Sequence, residues 1–322
     1  MRLYLVAPTR FLLFLPLLSI LFGAQSSAQN KRDTVTAGIY LKTLNNINSG
    51  TFSYDVDLWM WYHFKNDTLK PLQTVEIANA KRYEYSNGSD TVIKGMHWSS
   101  QNCKATINQN WNLEHYPFDH QKLEIVLEET QQDTRNLIMQ VDKKEYQFNK
   151  NIDVKGWIVD SARCWNGTSH YNSDFGDPNL NGESNYSKVN FTIFLSRKCW
   201  SLFFKLFTGC YVAFLVSFMA FFIKPIYVDP RFGLTLGGLF AAVGNKYVVD
   251  SNIPSSISFS LADQIHDCTF VYMFLTIALS IISLKNDDEG KLKKQIKFDR
   301  YAACVVLFSY ILLNTYFIIH AL

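Results

Sequence analysis

The 322-residue sequence lacks the short motifs that mark most enzymes. It has no G-x-S-x-G, no H-E-x-x-H, no phosphate-binding glycine loop and no Cys/His cluster at metal-ligand spacing. We therefore expect no enzymatic activity, no cofactor and no metal site.

Cysteine and excess charge are also scarce. The six cysteines include no Cys-x-x-Cys pair, which argues against zinc and redox motifs. Whether Cys103 and Cys164 form a disulfide is left open, because sequence does not give the distance between them. The net charge is only +3 and no basic run is interleaved with aromatics, so we expect no binding to nucleic acid.

Residues 1–28 are predicted to be a secretory signal peptide. Arg2 and Arg10 lie before an apolar run at 11–22, and small residues follow at 26–28. The run is too short to span a bilayer comfortably, although an uncleaved anchor is the alternative. The mature chain would begin near Gln29, on the outer side of a membrane.

Residues 29–198 have the pattern of an all-β domain. Short segments alternate apolar and polar residues, and Asn, Asp, Gly and Pro separate them. This density of strands predicts an immunoglobulin-like sandwich. The predicted strands are 35–44, 52–64, 91–98, 106–113, 123–129, 136–141, 157–164 and 187–197, with a long loop at 166–185.

Residues 199–322 are predicted to form a transmembrane domain of four helices, with spans at about 200–223, 231–250, 266–284 and 301–320. The linker 285–300 holds six Lys or Arg residues and 224–231 holds two, whereas 252–264 holds none. The positive-inside rule places the first two linkers in the cytoplasm. The β-rich domain and both chain ends would then lie outside.

The second span carries an unusual stripe along one helical face, at a mean step of about 3.7 residues. The stripe consists of Asp229, Gly233, Gly237, Phe240, Gly244, Tyr247 and Ser251. Such a face could line a pore between several copies of the chain. Alternatively, Gly233-x-x-x-Gly237 could let two helices pack closely.

A motif in the β-rich region points to a known family. The chain resembles the pentameric ligand-gated ion channels, also called Cys-loop or Pro-loop receptors, in their prokaryotic form and especially the bacterial proton-gated member. The resemblance covers residues 34–320 and rests on Tyr116-Pro117-Phe118-Asp119-His120-Gln121, Gly38-Ile39-Tyr40-Leu41, Asp133-Thr134-Arg135-Asn136, Gly156-Trp157, Arg197 and Asn252-Ile253-Pro254.

The resemblance implies a homopentamer in which the second span surrounds an ion pathway. Asp229 would form a ring of carboxylates that favours permeating cations, Phe240 a hydrophobic gate and Tyr247 a second constriction. Arg231 would point away from the axis and Lys246 toward the bilayer surface. Tyr116, Pro117, Phe118, Asp119, Arg197 and Pro254 would couple the outer domain to the spans.

The chain departs from the family in two places. The loop cysteines of animal members are replaced by Gln109 and Leu123, as in bacterial members, and the Trp-x-Pro-acid motif is missing, which puts a conventional agonist site in doubt. Candidate ligand-binding residues are Trp59, Trp61, Glu128, Glu129, Tyr171, Phe175 and Tyr186, which could hold a small amine by cation–π contact or could simply pack on the sheets.

Gating by protons is the alternative to a small-molecule agonist, with His266 at the start of the third span as one candidate sensor. A membrane receptor of the same architecture that does not conduct is the alternative function. In either case, membrane lipids would surround the spans.

Overall fold

The computed structural model describes residues 32–143, 147–149, 152–178, 180, 182–253, 259–285 and 292–322. The predicted signal peptide and Pro254 lie outside these residues. The described chain consists of a β-rich part followed by four long apolar helices.

Among the described residues, six strands form the first sheet. They are β1 (Asp33–Asn48), β2 (Ser53–Phe64), β4 (Ala80–Ile93), β5 (Met96–Asn108), β7 (Leu137–Val141) and β8 (Gln147–Phe148). The order is β4-β5-β2-β1-β7, and β8 also pairs with β1. Buried and half-exposed residues alternate through all of β2, as expected when one face of a strand meets the core.

The second sheet has four strands in the order β3-β6-β10-β9. They are β3 (Val75–Ile77), β6 (His120–Asp133), β9 (Trp157–Tyr171) and β10 (Ser184–Arg197), and a one-turn helix, α1 (Pro71–Thr74), precedes β3. Both sheets contribute to one apolar core, in which Ile39 and Leu58 of the first sheet belong to the same cluster as Ile125 and Phe191 of the second.

Three sequence predictions in this part are wrong. Residues 91–98 are not one strand but the tip of a hairpin, because Lys94 and Gly95 both adopt positive φ and reverse the chain. The strand predicted at 106–113 is the end of β5, which stops at Asn108. The loop predicted at 166–185 is shorter, since β9 and β10 stay paired as far as Tyr171 and Ser184.

The helices are α2 (Cys199–Phe218, continued by a 3₁₀ turn at Met219–Phe222), α3 (Val228–Asn252), α4 (Leu261–Lys285) and α5 (Leu292–Ala321). All four are long and apolar enough to cross a membrane, which indicates a multi-pass membrane protein.

The helix α4 begins five residues before the predicted span, so His266 lies in its second turn rather than at its start. Ser260 and Asp263 satisfy each other's backbone N–H groups at this end, as in a capping box. A search for apolar residues does not detect a polar first turn of this kind, so the predicted span begins too late. The start of α5 is likewise nine residues before the predicted span, within the basic linker.

The β-rich part contacts one end of the helical bundle. Tyr116 and Phe118 share an apolar cluster with Phe203 of α2, Val249 of α3 and Leu261 of α4. The first residues of α2 and α4 and the last residues of α3 and α5 therefore lie at the end next to the sheets, and Asp229 lies at the far end.

Candidate functional site

An ion pair connects the two sequence motifs at the junction. Arg197, at the end of β10, donates from Nε to Asp119 Oδ1 at 2.6 Å and from a terminal nitrogen to Oδ2 at 2.9 Å. The Asp119 side chain is 1% exposed and that of Arg197 is 15% exposed. Two parallel charge-assisted bonds of this kind fix orientation as well as distance.

Aromatic rings and an amide hold the ion pair in place. The Arg197 guanidinium lies 4.0 Å from the ring centre of Trp157 and 5.0 Å from that of Tyr116. The Gln121 amide donates both to Asp119 Oδ2 at 2.8 Å and to the carbonyl of Asn112 at 2.6 Å. The supporting roles of Trp157 and Gln121 were not predicted, although both belong to the quoted motifs.

The loop that carries Asp119 also contacts the helices. The ring of Phe118 lies 5.3 Å from that of Trp200 and 5.5 Å from that of Phe203, at the start of α2. The backbone N–H of Leu261 donates to the carbonyl of Glu114 at 2.9 Å and so ties this loop to α4. The predicted contact of Pro254 lies outside the described residues.

The stripe on α3 faces away from the other helices of the same chain. A Cβ added at Gly233, Gly237 or Gly244 would have no described atom within 4 Å. Phe240 is 73% exposed and Tyr247 is 77% exposed. The exposed stripe also includes Asp229 and Ser251 at the two ends of the helix.

Close helix packing within the chain uses a different glycine. A Cβ at Gly238 would lie 2.7 Å from the Ala213 carbonyl oxygen and 3.0 Å from Ser217 Cβ, so Gly238 permits α3 to approach α2. Gly233 and Gly237 make no such contact with a described residue of the chain, so close packing through them would involve another copy and stays a prediction.

The two basic residues of α3 each have an acidic partner. Arg231 is fully buried and forms two bonds with Asp299 of α5, at 2.8 and 3.1 Å, on the side opposite the stripe. Lys246 does not extend freely to the bilayer surface as predicted. It pairs with Asp250 at 2.8 Å and with Asp263 at the start of α4, because both carboxylates are within its reach.

His266 connects three helices near the sheets. It is fully buried, and its Nδ1 faces the Ala262 carbonyl at 2.8 Å. Its Nε2 faces Asn245 Oδ1 at 3.0 Å, while the Asn245 amide donates to the Leu206 carbonyl at 3.2 Å. Each ring nitrogen therefore has a hydrogen-bonding partner, and together they hold the imidazole between α3 and α4.

Four of the ligand-binding candidates come together beside the end of β9. The rings of Tyr171, Phe175 and Tyr186 lie 5.3 to 6.2 Å apart. The Tyr171 hydroxyl donates to the buried carboxylate of Glu128 at 2.6 Å, and Ser169 is a second donor. Burial, followed by this bond to the carboxylate, raises the pKa of Tyr171 to about 12, which keeps the phenol protonated.

Glu76 was missed as a neighbour of this cluster. It stands directly opposite Glu128 in the β3–β6 register, and its charge also acts on Tyr171. Lys188 stands opposite Glu128 in the β10–β6 register, but Glu128 forms no ion pair with a basic side chain of the described residues. The cluster is thus rich in aromatic faces and negative charge, which suits a small organic cation.

The other three candidates are elsewhere. Glu129 is bound by Thr74 Oγ1 at 2.8 Å and by the Gln131 N–H at 3.0 Å, and burial raises its pKa. Trp59 and Trp61 lie on β2 of the first sheet, where Trp61 packs on the backbone of Gly38. These residues do not join the aromatic cluster because they belong to another sheet or point another way.

All six cysteines are free thiols, including Cys103 in β5 and Cys164 in β9, which lie in different sheets. Within the described ranges, no group of three or more His, Cys, Asp or Glu side chains is arranged to hold a metal ion.

No protein-family model matches the chain, and no curated protein matches it either. The junction, the exposed stripe and the aromatic cluster are the features that bear on function.

Proposed function

We propose that the protein is a homopentameric ion channel, gated by a small-molecule ligand or by protons, that conducts cations. In this proposal the β-rich part is an immunoglobulin-like sandwich on the outer side of the cell membrane. The α3 helices of five copies surround a central pathway.

The observation that carries the proposal is the uncovered stripe of α3. In a single chain it exposes three glycines, two large rings and a carboxylate on a helix long enough to span the membrane. A carboxylate facing hydrocarbon is costly, whereas a carboxylate facing a water-filled pathway is not. Surrounding the stripe with copies of itself would hydrate Asp229 and bring the Phe240 rings toward one another.

The junction supplies a physical route from the sheets to the pathway. Arg197 is the last residue of β10 and lies two residues before α2, while Asp119 belongs to the loop that packs on α2, α3 and α4. A displacement of β10 would therefore be passed to the helices through a paired, stacked guanidinium rather than through a flexible linker.

Two features support the two gating modes. The cluster of Glu128, Tyr171, Phe175 and Tyr186 would hold an amine by a carboxylate and aromatic faces. Protonation of His266 would strengthen its bonds to Asn245 of α3 and to α4, which would favour one arrangement of these helices over another. Glu128→Gln should abolish activation by amines, and His266→Phe should abolish activation by acid.

The deciding experiment is to record current from the purified chain in planar bilayers while pH and a panel of amines are varied. Opening by at least one stimulus is expected. The absence of current under every condition, with the oligomer intact, would favour the receptor that does not conduct.

Matched variants test the pathway itself. Phe240→Ser should raise the leak in the closed state, whereas Phe308→Ser on α5, which is equally exposed at 72%, should not. Asp229→Asn should shift the reversal potential toward weaker cation preference in a sodium chloride gradient. A wild-type reversal potential that follows chloride would eliminate cation selectivity.

A further inference from the structure

A buried ion pair lies beside the carboxylate at the far end of the exposed stripe. Arg231 follows Asp229 by two positions, in the first turn of α3. Asp299 of α5 binds its guanidinium through two bonds, at 2.8 and 3.1 Å, and the two side chains are only 0% and 3% exposed. Asp229, in contrast, is exposed. One turn of α3 thus holds an exposed carboxylate and a buried guanidinium.

Positive charge outweighs negative charge in this turn unless Asp299 is counted. The N-terminal end of a helix carries about half a positive charge. The helix α3 begins at Val228, one residue before Asp229. This partial charge and the guanidinium of Arg231 together exceed the single negative charge of Asp229. Adding the carboxylate of Asp299 reverses the sign, so a residue of α5 sets the sign of the charge at this end of α3.

The other described basic residues at this end of the bundle are exposed to solvent. Salt largely screens exposed charges beyond about 8 Å at physiological ionic strength, whereas buried charges are screened much less. The buried guanidinium would therefore act on the field around Asp229 more strongly than the exposed charges do. The exposed basic residues are Lys224, Lys293, Lys294, Lys297 and Arg300.

The stability of the fold gives little reason for a buried pair here. Well-packed apolar residues often replace a buried ion pair without loss of stability, because desolvation of the two charges offsets their attraction. The pair is also incompletely satisfied, since the buried Nε of Arg231 has no hydrogen-bond partner among the described residues. A charge that is costly to bury and imperfectly bound points to an electrostatic role.

We propose that Asp299 determines the preference for cations by cancelling the charge of Arg231. With the guanidinium neutralised, the ring of Asp229 carboxylates keeps the mouth of the pathway negative. Asp299 is then a specificity-determining residue that never touches the permeating ion, because it lies on the side of α3 opposite the stripe. The inference rests on the proposed function and deepens it.

Reversal potentials of the purified full chain in planar bilayers, in a sodium chloride gradient, test the proposal. Asp299→Asn leaves Arg231 uncompensated and should lower the sodium-to-chloride permeability ratio about threefold or more. Asp299→Glu keeps the charge and should keep the wild-type ratio. The double variant Arg231→Met with Asp299→Leu removes both charges and should keep it too. Arg300→Gln removes a neighbouring exposed charge and is the matched control, with no change expected.

Two results would overturn the proposal. One is an Asp299→Asn ratio equal to that of a cation-selective wild type. The other is an equal loss of preference in the double variant, which would show that the pair acts through structure and not through charge. If Asp299→Asn does not assemble alone, rings captured through two tags and containing both variant and wild-type copies are recorded. Their ratio should fall as the variant share rises, and a constant ratio refutes the inference.

A second measurement does not need current. Gly233 lies one turn after Asp229 and faces open space, so Gly233→Cys places a thiol on the stripe. Cys164, Cys199 and Cys304 are replaced by Ser, and mass spectrometry follows modification by cationic and anionic methanethiosulfonates. Asp299→Asn should lower the cationic-to-anionic rate ratio about threefold or more, whereas the double variant should not. A wild type without current would refute the channel. The rate ratio would still test the charge balance, and an unchanged ratio would overturn it.

Discussion

Replacing Asp119 with Asn should destabilise the β-rich part markedly. The change keeps the size of the side chain but removes the charge that faces Arg197 through two bonds of 2.6 and 2.9 Å. Removing one partner of a buried ion pair costs about 3–5 kcal/mol, since the other charge stays buried without compensation. Arg197 is 15% exposed and stacks on Trp157, so we expect the lower end, about 3 kcal/mol.

That loss corresponds to a fall in Tm of roughly 6–12 °C for a domain of this size. Tryptophan fluorescence during heating of the full chain in detergent is a suitable measurement, because Trp157 lies against the guanidinium. The control is Glu124→Gln, which breaks an exposed pair with Lys122 and should cost about 0.5 kcal/mol or less.

A double-mutant cycle separates the pair from its surroundings. Arg197→Gln alone should also be destabilising, but the double variant with Asp119→Asn should lose clearly less than the sum of the two. Strict additivity, or an Asp119→Asn variant that melts within 1 °C of wild type, would refute the reasoning that this pair is a buried, coupled unit.

Two further predictions concern packing and pH. Gly238→Ala should lower Tm by several degrees, because the added Cβ would lie 2.7 Å from the Ala213 carbonyl oxygen. Gly237→Ala is the control and should leave Tm unchanged, because no described atom lies within 4 Å of its Cβ. Equal Tm values for the two variants would contradict the assigned packing. The hydrogen bond of His97 to Asp67, with a further contribution from Asp90, raises the pKa of His97. Its stabilising effect should be complete below the ordinary histidine pKa of about 6.5 and should disappear as pH rises through the higher folded value. The fall in Tm between pH 6 and 9 should therefore be smaller for His97→Gln, and parallel profiles would contradict this.

The architecture could be predicted because its signals are local. Alternation in β2 and the long apolar runs of the four helices are properties of consecutive residues, and the structure contains both. The turn at Lys94 and Gly95 was not predicted, because lysine seldom adopts positive φ and its presence does not indicate a turn.

The partners within the sites were harder to predict than the residues themselves. Asp119 and Arg197 could be paired only through the resemblance of their motifs to a family. Glu76 faces Glu128 because β3 pairs with β6, and Asp299 faces Arg231 because α5 packs against α3. These partners are far apart in the sequence, so no local pattern of residues predicts them. The sequence identified the three rings of the aromatic cluster and Glu128 as ligand-binding candidates. It also included Trp59, Trp61 and Glu129, which lie elsewhere, because the pairing of the strands could not be predicted.

The bond between Arg231 and Asp299 has a consequence for biosynthesis. The two residues are separated by 68 positions, so the guanidinium is made and delivered to the membrane well before its carboxylate exists. During that interval the guanidinium of Arg231, near one end of α3, lacks its buried partner. The helix is thus expected to stay at the water-filled insertion machinery, or with its first turn at the bilayer surface, until α5 arrives. Ribosome-bound chains truncated between the two residues should cross-link to that machinery, and chains extended past Asp299 should be released.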